Sequence, residues 1–292
     1  MTHLRQGYGG QDADTANGRS TPLLEVDHLS VVFDAAAGPV VAVDDVSFSI
    51  AAGETLGLVG ESGSGKSVTA FSILRLLPPA GRITGGRVLF QGRDLLTLSE
   101  REMRAVRGAG ISLIFQEPMT ALNPVMRIGD QIAEALTVHG MATEDGARTA
   151  AIELLEAVRM PDAELRVRDY PHQLSGGMRQ RVMIAVALAC RPPLVIADEP
   201  TTALDVTIQA QVLDLMRDLK ARFNLALLII THDFGVVAEM ADRVAVMYKG
   251  KLVEQGLVRQ ILRMPQHQYT RTLLASVPGM PSTSLRPGSQ TG

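Results

Sequence analysis

The sequence predicts an α/β fold in which a parallel or mixed sheet is covered by helices. Short apolar runs typical of buried strands alternate with stretches of helical periodicity, and 292 residues can bury one large core or two small ones. The predicted strands are Leu23–Val32, Val40–Ile50, Thr55–Val59, Arg87–Phe90, Ser112–Phe115, Leu194–Ala197, Leu225–Ile230 and Arg243–Tyr248. We expect the first two to form an antiparallel hairpin, because residues 35–39 between them are typical of a turn.

The stretch from Pro118 to Leu188 has a different pattern. It shows helical periodicity at Ile128–Val138 and Arg148–Val158 and no convincing strand. We interpret it as a helical insertion subdomain, at about 118–188, between two parts of one sheet. The predicted domain of 23–256 is preceded by a polar tail, 1–22, and followed by a Pro-punctuated extension, 257–292, in which no sheet element is evident. We expect disorder in the first tail and in the last dozen residues.

Composition excludes several classes of function. The 28 Lys and Arg against 31 Asp and Glu give a net charge of −3, which argues against nucleic-acid binding by bulk positive charge. With 4% aromatic residues and no Trp, a groove of base-stacking side chains is not expected. The single cysteine, Cys190, excludes a disulfide-stapled fold and a multi-cysteine metal site. Hydrophobic residues make up 46%, but no apolar run reaches the roughly 20 residues of a membrane span, so we expect a cytosolic chain.

A glycine-rich loop lies between the predicted strand Thr55–Val59 and a predicted helix at Val68–Leu77. Its residues, called the phosphate loop below, are Gly60, Glu61, Ser62, Gly63, Ser64, Gly65, Lys66 and Ser67. Glycines let backbone N–H groups surround phosphate oxygens, and the following helix turns its positive end to the same anion. Lys66 adds a charge and Ser67 a hydroxyl for Mg²⁺. A Gly/Ser linker is the alternative, but the flanking strand and helix favour a nucleotide site of the P-loop type.

A second candidate element is the strand Leu194–Ala197, which runs into two carboxylates, Asp198 and Glu199. Asp198 can hold Mg²⁺ through water, and Glu199 is placed to orient and polarise an attacking water. By itself this pattern is also typical of an acidic helix cap. The phosphate loop in the same chain favours the catalytic interpretation.

The run Leu174-Ser175-Gly176-Gly177 opens a long apolar helix and offers a free hydroxyl at a helix N-terminus, which suits a second anion. As a bare pattern it is only a helix cap. Together with the phosphate loop and the Asp-Glu strand, in this order and approximate spacing, it resembles the ATP-binding subunits of ABC transporters. The resemblance covers nearly the whole chain from about Leu23 onward. It implies a P-loop NTPase core of the RecA-like type, with an antiparallel β subdomain and the helical insertion beside it. It also implies ATP and Mg²⁺ as cofactors.

The resemblance also implies roles for single residues. Gln116 matches the Q-loop residue that touches Mg²⁺ or the attacking water; alternatively, it is an ordinary polar loop residue. His232 matches the switch histidine; alternatively, it is an ordinary surface histidine. Asp205 matches the D-loop at the dimer interface, or is an ordinary cap. Phe33 stands where an aromatic stacks on adenine, although it fits a core position equally well. The residues that the resemblance implies for ATP binding are Phe33, Gly60, Glu61, Ser62, Gly63, Ser64, Gly65, Lys66, Ser67 and Val68. The implied Mg²⁺ ligands are Ser67, Gln116 and Asp198. The implied catalytic residues are Glu199, His232 and Gln116.

In the family, two subunits pair head to tail, so that Ser175, Gly176 and Gly177 of one chain complete the ATP site of the other. The implied partners are transmembrane permease subunits, a second ATPase subunit, either identical or paralogous, and an extracytoplasmic solute-binding protein reached through the complex. No nucleic-acid partner is expected. The implied location is the cytoplasmic face of the inner (plasma) membrane.

Two segments point to one branch of the family. Residues 116–124, from Gln116 to Pro124, resemble the Q-loop of importers for dipeptides, oligopeptides, nickel and glutathione, and residues 265–278 resemble the start of their C-terminal extension. Such relatives often continue into a Cys-containing segment, so we expect a shortened extension without an iron–sulfur function. Met119 and Met126 are candidates for an adaptable surface that meets the permease. The alternatives are the accessory ATPase of a soluble carbon–phosphorus lyase complex and a soluble ABC ATPase without a transport role.

Overall fold

The computed structural model describes residues 21–202 and 204–276. The strands are β1 Leu24–Ala35, β2 Gly38–Ile50, β3 Thr55–Val59, β4 Gly81–Phe90, β5 Arg93–Asp94, β6 Ile111–Ile114, β7 Leu194–Asp198, β8 Ala226–Thr231, β9 Arg243–Tyr248 and β10 Lys251–Leu257. The helices are α1 Lys66–Ile73, α2 Glu100–Val106, α3 Pro118–Ala121, α4 Ile128–Val138, α5 Glu144–Ala157, α6 Ala163–Arg166, α7 Gly176–Leu188, α8 Val206–Phe223, α9 Phe234–Met240, α10 Val258–Arg263 and α11 Gln268–Ala275. The α/β class predicted from the sequence is confirmed.

The larger sheet has six strands in the order β10-β9-β3-β8-β7-β6. β9, β3, β8, β7 and β6 run parallel, and β10 closes one edge antiparallel to β9. Every residue of β3, β7 and β8 is buried. Continuous apolar sequences such as that of β8, Ala226–Thr231, therefore follow from strands that are covered on both faces.

A smaller antiparallel sheet has the order β2-β1-β4-β5 and includes the predicted hairpin, with Ala35 opposite Gly38. Its buried face, which includes Leu24, Leu29 and Val31, packs into the same apolar cluster as one face of the large sheet and α1. The helical segment 118–188 packs on the opposite face through residues such as Ile132 of α4. The large sheet thus lies between an antiparallel β layer and a helical layer.

Several boundaries differ from those predicted. α1 ends at Ile73 rather than at Leu77, because Arg75 takes a left-handed φ of 52° and the N–H of Leu76 donates back to the carbonyl of Phe71 at 2.7 Å, which closes the last turn of the helix. β10 was missed, since its mixture of exposed and half-buried residues lacks the apolar run of a central strand. α10 and α11 lie in the extension, for which the sequence indicated only the lack of a sheet element and no helix was assigned.

The predicted N-terminal tail, 1–22, lies outside the described residues as far as residue 20, and the last dozen residues, also predicted to be disordered, lie wholly outside them. Within 21–202 and 204–276, no helix combines the length and the apolar character that crossing a bilayer requires.

Candidate functional site

The candidate residues gather at the carboxyl edge of the parallel strands, which is where open α/β sheets bind ligands. The phosphate loop follows β3, His232 follows β8, Asp198 and Glu199 close β7, and Gln116 follows β6. Because β3, β8, β7 and β6 are consecutive neighbours in the sheet, these segments leave it side by side. Elements distant in sequence are thereby brought to one edge.

The phosphate loop has the backbone that its glycines allow. Gly65 caps α1 with a φ of 104°, a left-handed conformation that side chains rarely adopt. A Cβ at Gly65 would lie 2.5 Å from the carbonyl oxygen of Ala42, so β2 also leaves no room for a side chain. The loop therefore enters α1 through a tight turn that presents the N-terminus of this helix.

Lys66 is almost completely buried at the start of α1. Its Nζ donates to the carbonyl oxygens of Gly60, at 2.7 Å, and Glu61, at 2.9 Å. Burial lowers the pKa of Lys66, while the charges of Glu199, Asp198 and Glu61 act to raise it. The ammonium is thus held across the opening of the phosphate loop, with carboxylates of the site nearby.

Ser67 and Asp198 form the polar pair expected of a divalent-cation site. The Ser67 hydroxyl donates to Oδ1 of Asp198 at 3.1 Å, across 131 residues of sequence. Burial raises the pKa of Asp198 and the Glu199 charge adds to the rise, while the Ser67 hydrogen bond and Lys66 oppose it. A hydroxyl and a carboxylate beside a phosphate-binding loop fit Mg²⁺, which takes few protein oxygens and completes its shell with phosphate and water.

Glu199 is held by hydrogen bonds at both its backbone and its side chain. Its φ of 46° is a left-handed value that is costly for a residue with a side chain, and its N–H donates to the carbonyl of Ile230 at 2.8 Å. Thr202 Oγ1 donates to Oε2 at 2.6 Å, and His232 Nδ1 lies 3.0 Å from Oε1. Partial burial acts to raise the pKa of Glu199, but the hydrogen bonds from Thr202 and His232 outweigh it, so the pKa is lowered. Glu199 is therefore an oriented carboxylate that is ionised at neutral pH.

Sequence reasoning missed Thr202. Its hydroxyl makes the shorter of the two side-chain hydrogen bonds to Glu199. The available signal was its spacing of three residues from the carboxylate, which suits a local side-chain bond in a turn.

The structure does not join all the predicted site residues. Ser175 caps α7 and its hydroxyl accepts from the N–H of Met178 at 3.3 Å, and Asp205 likewise caps α8 by accepting from Ile208 at 2.9 Å. Gln116 is exposed beyond β6, and the Phe33 ring lies against the backbone of Gly81 in the small sheet. Within the described residues, no hydrogen bond connects any of these four to the phosphate loop.

The buried charge of Asp198 leads to a prediction about stability. Its pKa is raised in the folded state, so its ionisation costs stability as pH rises through that pKa, and the cost is present at neutral pH. Asp198→Asn keeps an acceptor oxygen for Ser67 and removes the charge. We expect the free protein to gain about 1 kcal/mol in free energy of unfolding, and to lose the stabilisation by Mg²⁺ and ATP.

Calorimetric unfolding with and without Mg²⁺ and ATP measures both effects. Asp130→Asn, at an exposed carboxylate in the first turn of α4, is the matched control and should not raise the melting temperature. A lower melting temperature for Asp198→Asn in the free protein would contradict the assigned electrostatics.

Together, the fold and this edge of the sheet define a nucleotide-hydrolysing protein of the P-loop class. A sequence profile described as ABC transporter matches residues 43–202. The chain is 54% identical over 266 residues to the oligopeptide transport ATP-binding protein OppD of Bacillus subtilis, which covers 91% of this chain and 74% of that protein. It is also 54% identical over 257 residues to the dipeptide transport ATP-binding protein DppD of the same organism, with 88% and 77% covered.

One further relative and one solved structure are also similar to this chain. The glutathione import ATP-binding protein GsiA of Escherichia coli is 54% identical over 262 residues, 88% of this chain and 42% of that longer protein. An ATP-binding cassette solved as a dimer in a post-hydrolysis state with ADP and Pi superposes with a TM-score of 0.72 at 26% identity, over 81% of this chain and 99% of that one. This chain therefore belongs to the ABC transporter family. It is an ATPase of that family, and the resemblance to peptide-importer subunits inferred from its motifs is confirmed.

Proposed function

We propose that the chain is the ATP-hydrolysing subunit of a membrane importer for peptides or a related small solute. The observation that carries this proposal is the Glu199 carboxylate, fixed by Thr202 and His232 at the same edge of the sheet as the phosphate loop. The relatives named for oligopeptide, dipeptide and glutathione transport supply the solute class. The proposed location is the cytoplasmic face of the membrane.

In this proposal, the phosphate loop and Lys66 bind the phosphates of ATP, with Val68 in the following turn, and Phe33 stacks on the adenine. Ser67, Asp198 and Gln116 would hold Mg²⁺, which would supply positive charge to the phosphate oxygens. Glu199 accepts a proton from the attacking water, whose oxygen bonds to the γ-phosphorus as the bond to the β-phosphate oxygen breaks. ADP and phosphate leave. His232 and Thr202 orient the carboxylate throughout.

We infer that a second ATPase subunit completes each site. Ser175 is exposed, and its described hydrogen bond only caps its own helix. At the start of α8, Asp205 is exposed and Val206 is 83% exposed, so both are accessible to a partner chain. Head-to-tail pairing brings Ser175, Gly176 and Gly177 of one subunit to the ATP of the other and covers the D-loop around Asp205. The dimeric form of the solved ATP-binding cassette supports this arrangement.

Gly176 offers a test of pairing that leaves the fold of the free chain intact. A Cβ there would be 3.9 Å from its nearest neighbour, in Leu204, whereas one at Gly177 would be 2.8 Å from Ile208. Gly176→Asp places a negative charge at a helix N-terminus, which stabilises α7 within the chain but repels ATP phosphates on the partner. We expect unchanged single-chain ATP affinity and a loss of about tenfold or more in ATP turnover.

Gly176→Ala is the matched control, since it adds the Cβ without the charge. Turnover assays and calorimetric ATP binding on both variants separate the two effects. Equal turnover of Gly176→Asp and the unmodified protein would contradict a composite site.

We propose that the permease contacts the exposed apolar side chains on either side of Gln116. Phe115, Met119 and Val125 are 42%, 55% and 82% exposed, respectively, and lie within ten residues of one another. Met126 is half-buried. Met103, Met160 and Met183 are buried core residues, so core filling explains these methionines. Exposed apolar side chains close in sequence to a residue proposed to bind Mg²⁺ can link the state of the ATP site to a partner chain.

Isolation of the tagged chain from detergent-solubilised membranes tests the transport role. Identification of co-purifying chains by mass spectrometry should yield multispanning permease subunits and a second ATPase subunit, and Met119→Asp should weaken their recovery. Recovery of lyase subunits, or of soluble partners without a permease, would favour the alternative functions instead.

A further inference from the structure

The C-terminal extension reaches the phosphate loop. The hydroxyl of Tyr269, in α11, accepts a hydrogen bond from the backbone N–H of Glu61 at 3.0 Å, across 208 residues of sequence. Glu61 is the second residue of the phosphate loop. From the sequence, the extension only indicated one branch of the family. In the structure it contacts the loop that is proposed to bind ATP.

Tyr269 is firmly placed. Tyr269 is 9% exposed, and its ring packs on the ring of Tyr248 in β9 with the two ring centroids 4.1 Å apart. Glu254 of β10 accepts from the N–H groups of Gln266 and His267 at 2.7 and 3.0 Å, which ties the start of α11 to the sheet. The Tyr269 hydroxyl is therefore presented by a helix whose start is hydrogen-bonded to the sheet.

The contact acts on one peptide unit that also holds Lys66. The carbonyl of Gly60 and the N–H of Glu61 belong to the same planar, trans peptide group, so they point in opposite directions. Tyr269 binds the N–H, and Nζ of Lys66 donates to the carbonyl at 2.7 Å. Rotation of this peptide would break both bonds. Fixing the N–H therefore also fixes an acceptor of the Lys66 ammonium.

A second contact from the same part of the chain supports the loop further along. The N–H of Gly250, in the turn between β9 and β10, donates to the carbonyl of Ser64 at 3.0 Å. The phosphate loop is thus held near both ends by the C-terminal strands and α11.

We propose that Tyr269 is a positioning residue for ATP, which holds the Gly60–Glu61 peptide and through it Lys66, so that residues 265–276 set the affinity of the phosphate loop. The inference rests on the proposed assignment of this loop to the phosphates. Because binding couplings are reciprocal, ATP binding in turn stabilises the contact of α11 with the loop.

Tyr269→Phe keeps the ring and removes the hydroxyl. One neutral hydrogen bond corresponds to about a two- to tenfold change in affinity, so we expect the ATP Kd and KM to rise by that factor while kcat at saturating ATP stays within about twofold. Tyr248→Phe makes the same chemical change in the other ring of the pair and should leave Kd unchanged. Calorimetry with a non-hydrolysable ATP analogue and steady-state kinetics on the full chain measure these quantities.

Amide hydrogen exchange supplies a readout that loss of packing alone would not produce. The Glu61 amide should exchange faster in Tyr269→Phe than in Tyr248→Phe, and ATP should slow exchange across 265–276 in the unmodified protein. Equal Kd values in the two variants, or no effect of ATP on that segment, would overturn the proposal. If Lys66→Ala loses ATP binding while Tyr269→Phe binds ATP normally, only the role of Tyr269 is disproved. If Lys66→Ala still binds ATP, the assignment of the phosphate loop to ATP is itself disproved.

Discussion

Glu199→Gln is expected to retain ATP binding and to lose hydrolysis by a factor of about 10²–10⁴, the range attributed to a positioned general base. Glutamine has nearly the same shape and keeps an oxygen that accepts from Thr202, which lies 2.6 Å from Oε2 in the unmodified protein. The amide cannot take the proton of the attacking water. ATP would therefore remain intact between two subunits, and the dimer should accumulate.

Size-exclusion chromatography in the presence of ATP detects that dimer, and phosphate release measures turnover. Glu156→Gln, at an exposed carboxylate on α5, makes the same chemical change away from the site and should behave as the unmodified protein. Undiminished turnover in Glu199→Gln would remove this residue as the base.

Lys66→Ala is expected to reduce ATP affinity by at least about ten- to a hundredfold, since hydrogen bonds to charged groups are worth about 1.5–3 kcal/mol each. The substitution also frees the carbonyls of Gly60 and Glu61, which the ammonium holds at 2.7 and 2.9 Å. The phosphate loop thus loses the positive charge of Lys66 and the two hydrogen bonds that this side chain makes within the loop.

Lys251→Ala is a suitable control, because Lys251 is exposed and pairs with Asp44 at the surface. Such pairs contribute little, so ATP affinity should not change. Calorimetric titration with ATP compares the two variants, and an unchanged Kd in Lys66→Ala would contradict the proposed assignment of the loop.

The parts of the molecule that could be predicted from sequence are those determined locally. The phosphate loop needs left-handed glycines such as Gly65 next to a strand and a helix, and this requirement is visible in a short run of sequence. β7 could be predicted because a buried central strand is continuously apolar until Asp198.

The missed features depend on tertiary contacts. β10 is an edge strand without an apolar run, so little in Lys251–Leu257 distinguishes it from a loop. The hydrogen bond between Tyr269 and Glu61 joins residues 208 apart, which no local pattern encodes. Thr202 is near Glu199 in sequence, but its role depends on the left-handed turn at Glu199.

The central claim, that ATP hydrolysis at this site drives uptake of a peptide, is tested most directly by transport into sealed vesicles. The chain would be reconstituted with its co-purified permease, second ATPase subunit and solute-binding protein, with ATP supplied on the side of the ATPase. We expect labelled di- or oligopeptides to be moved toward the ATPase side with the unmodified chain and not with Glu199→Gln. Hydrolysis by the assembled complex without movement of any peptide, or equal peptide movement with Glu199→Gln, would contradict it.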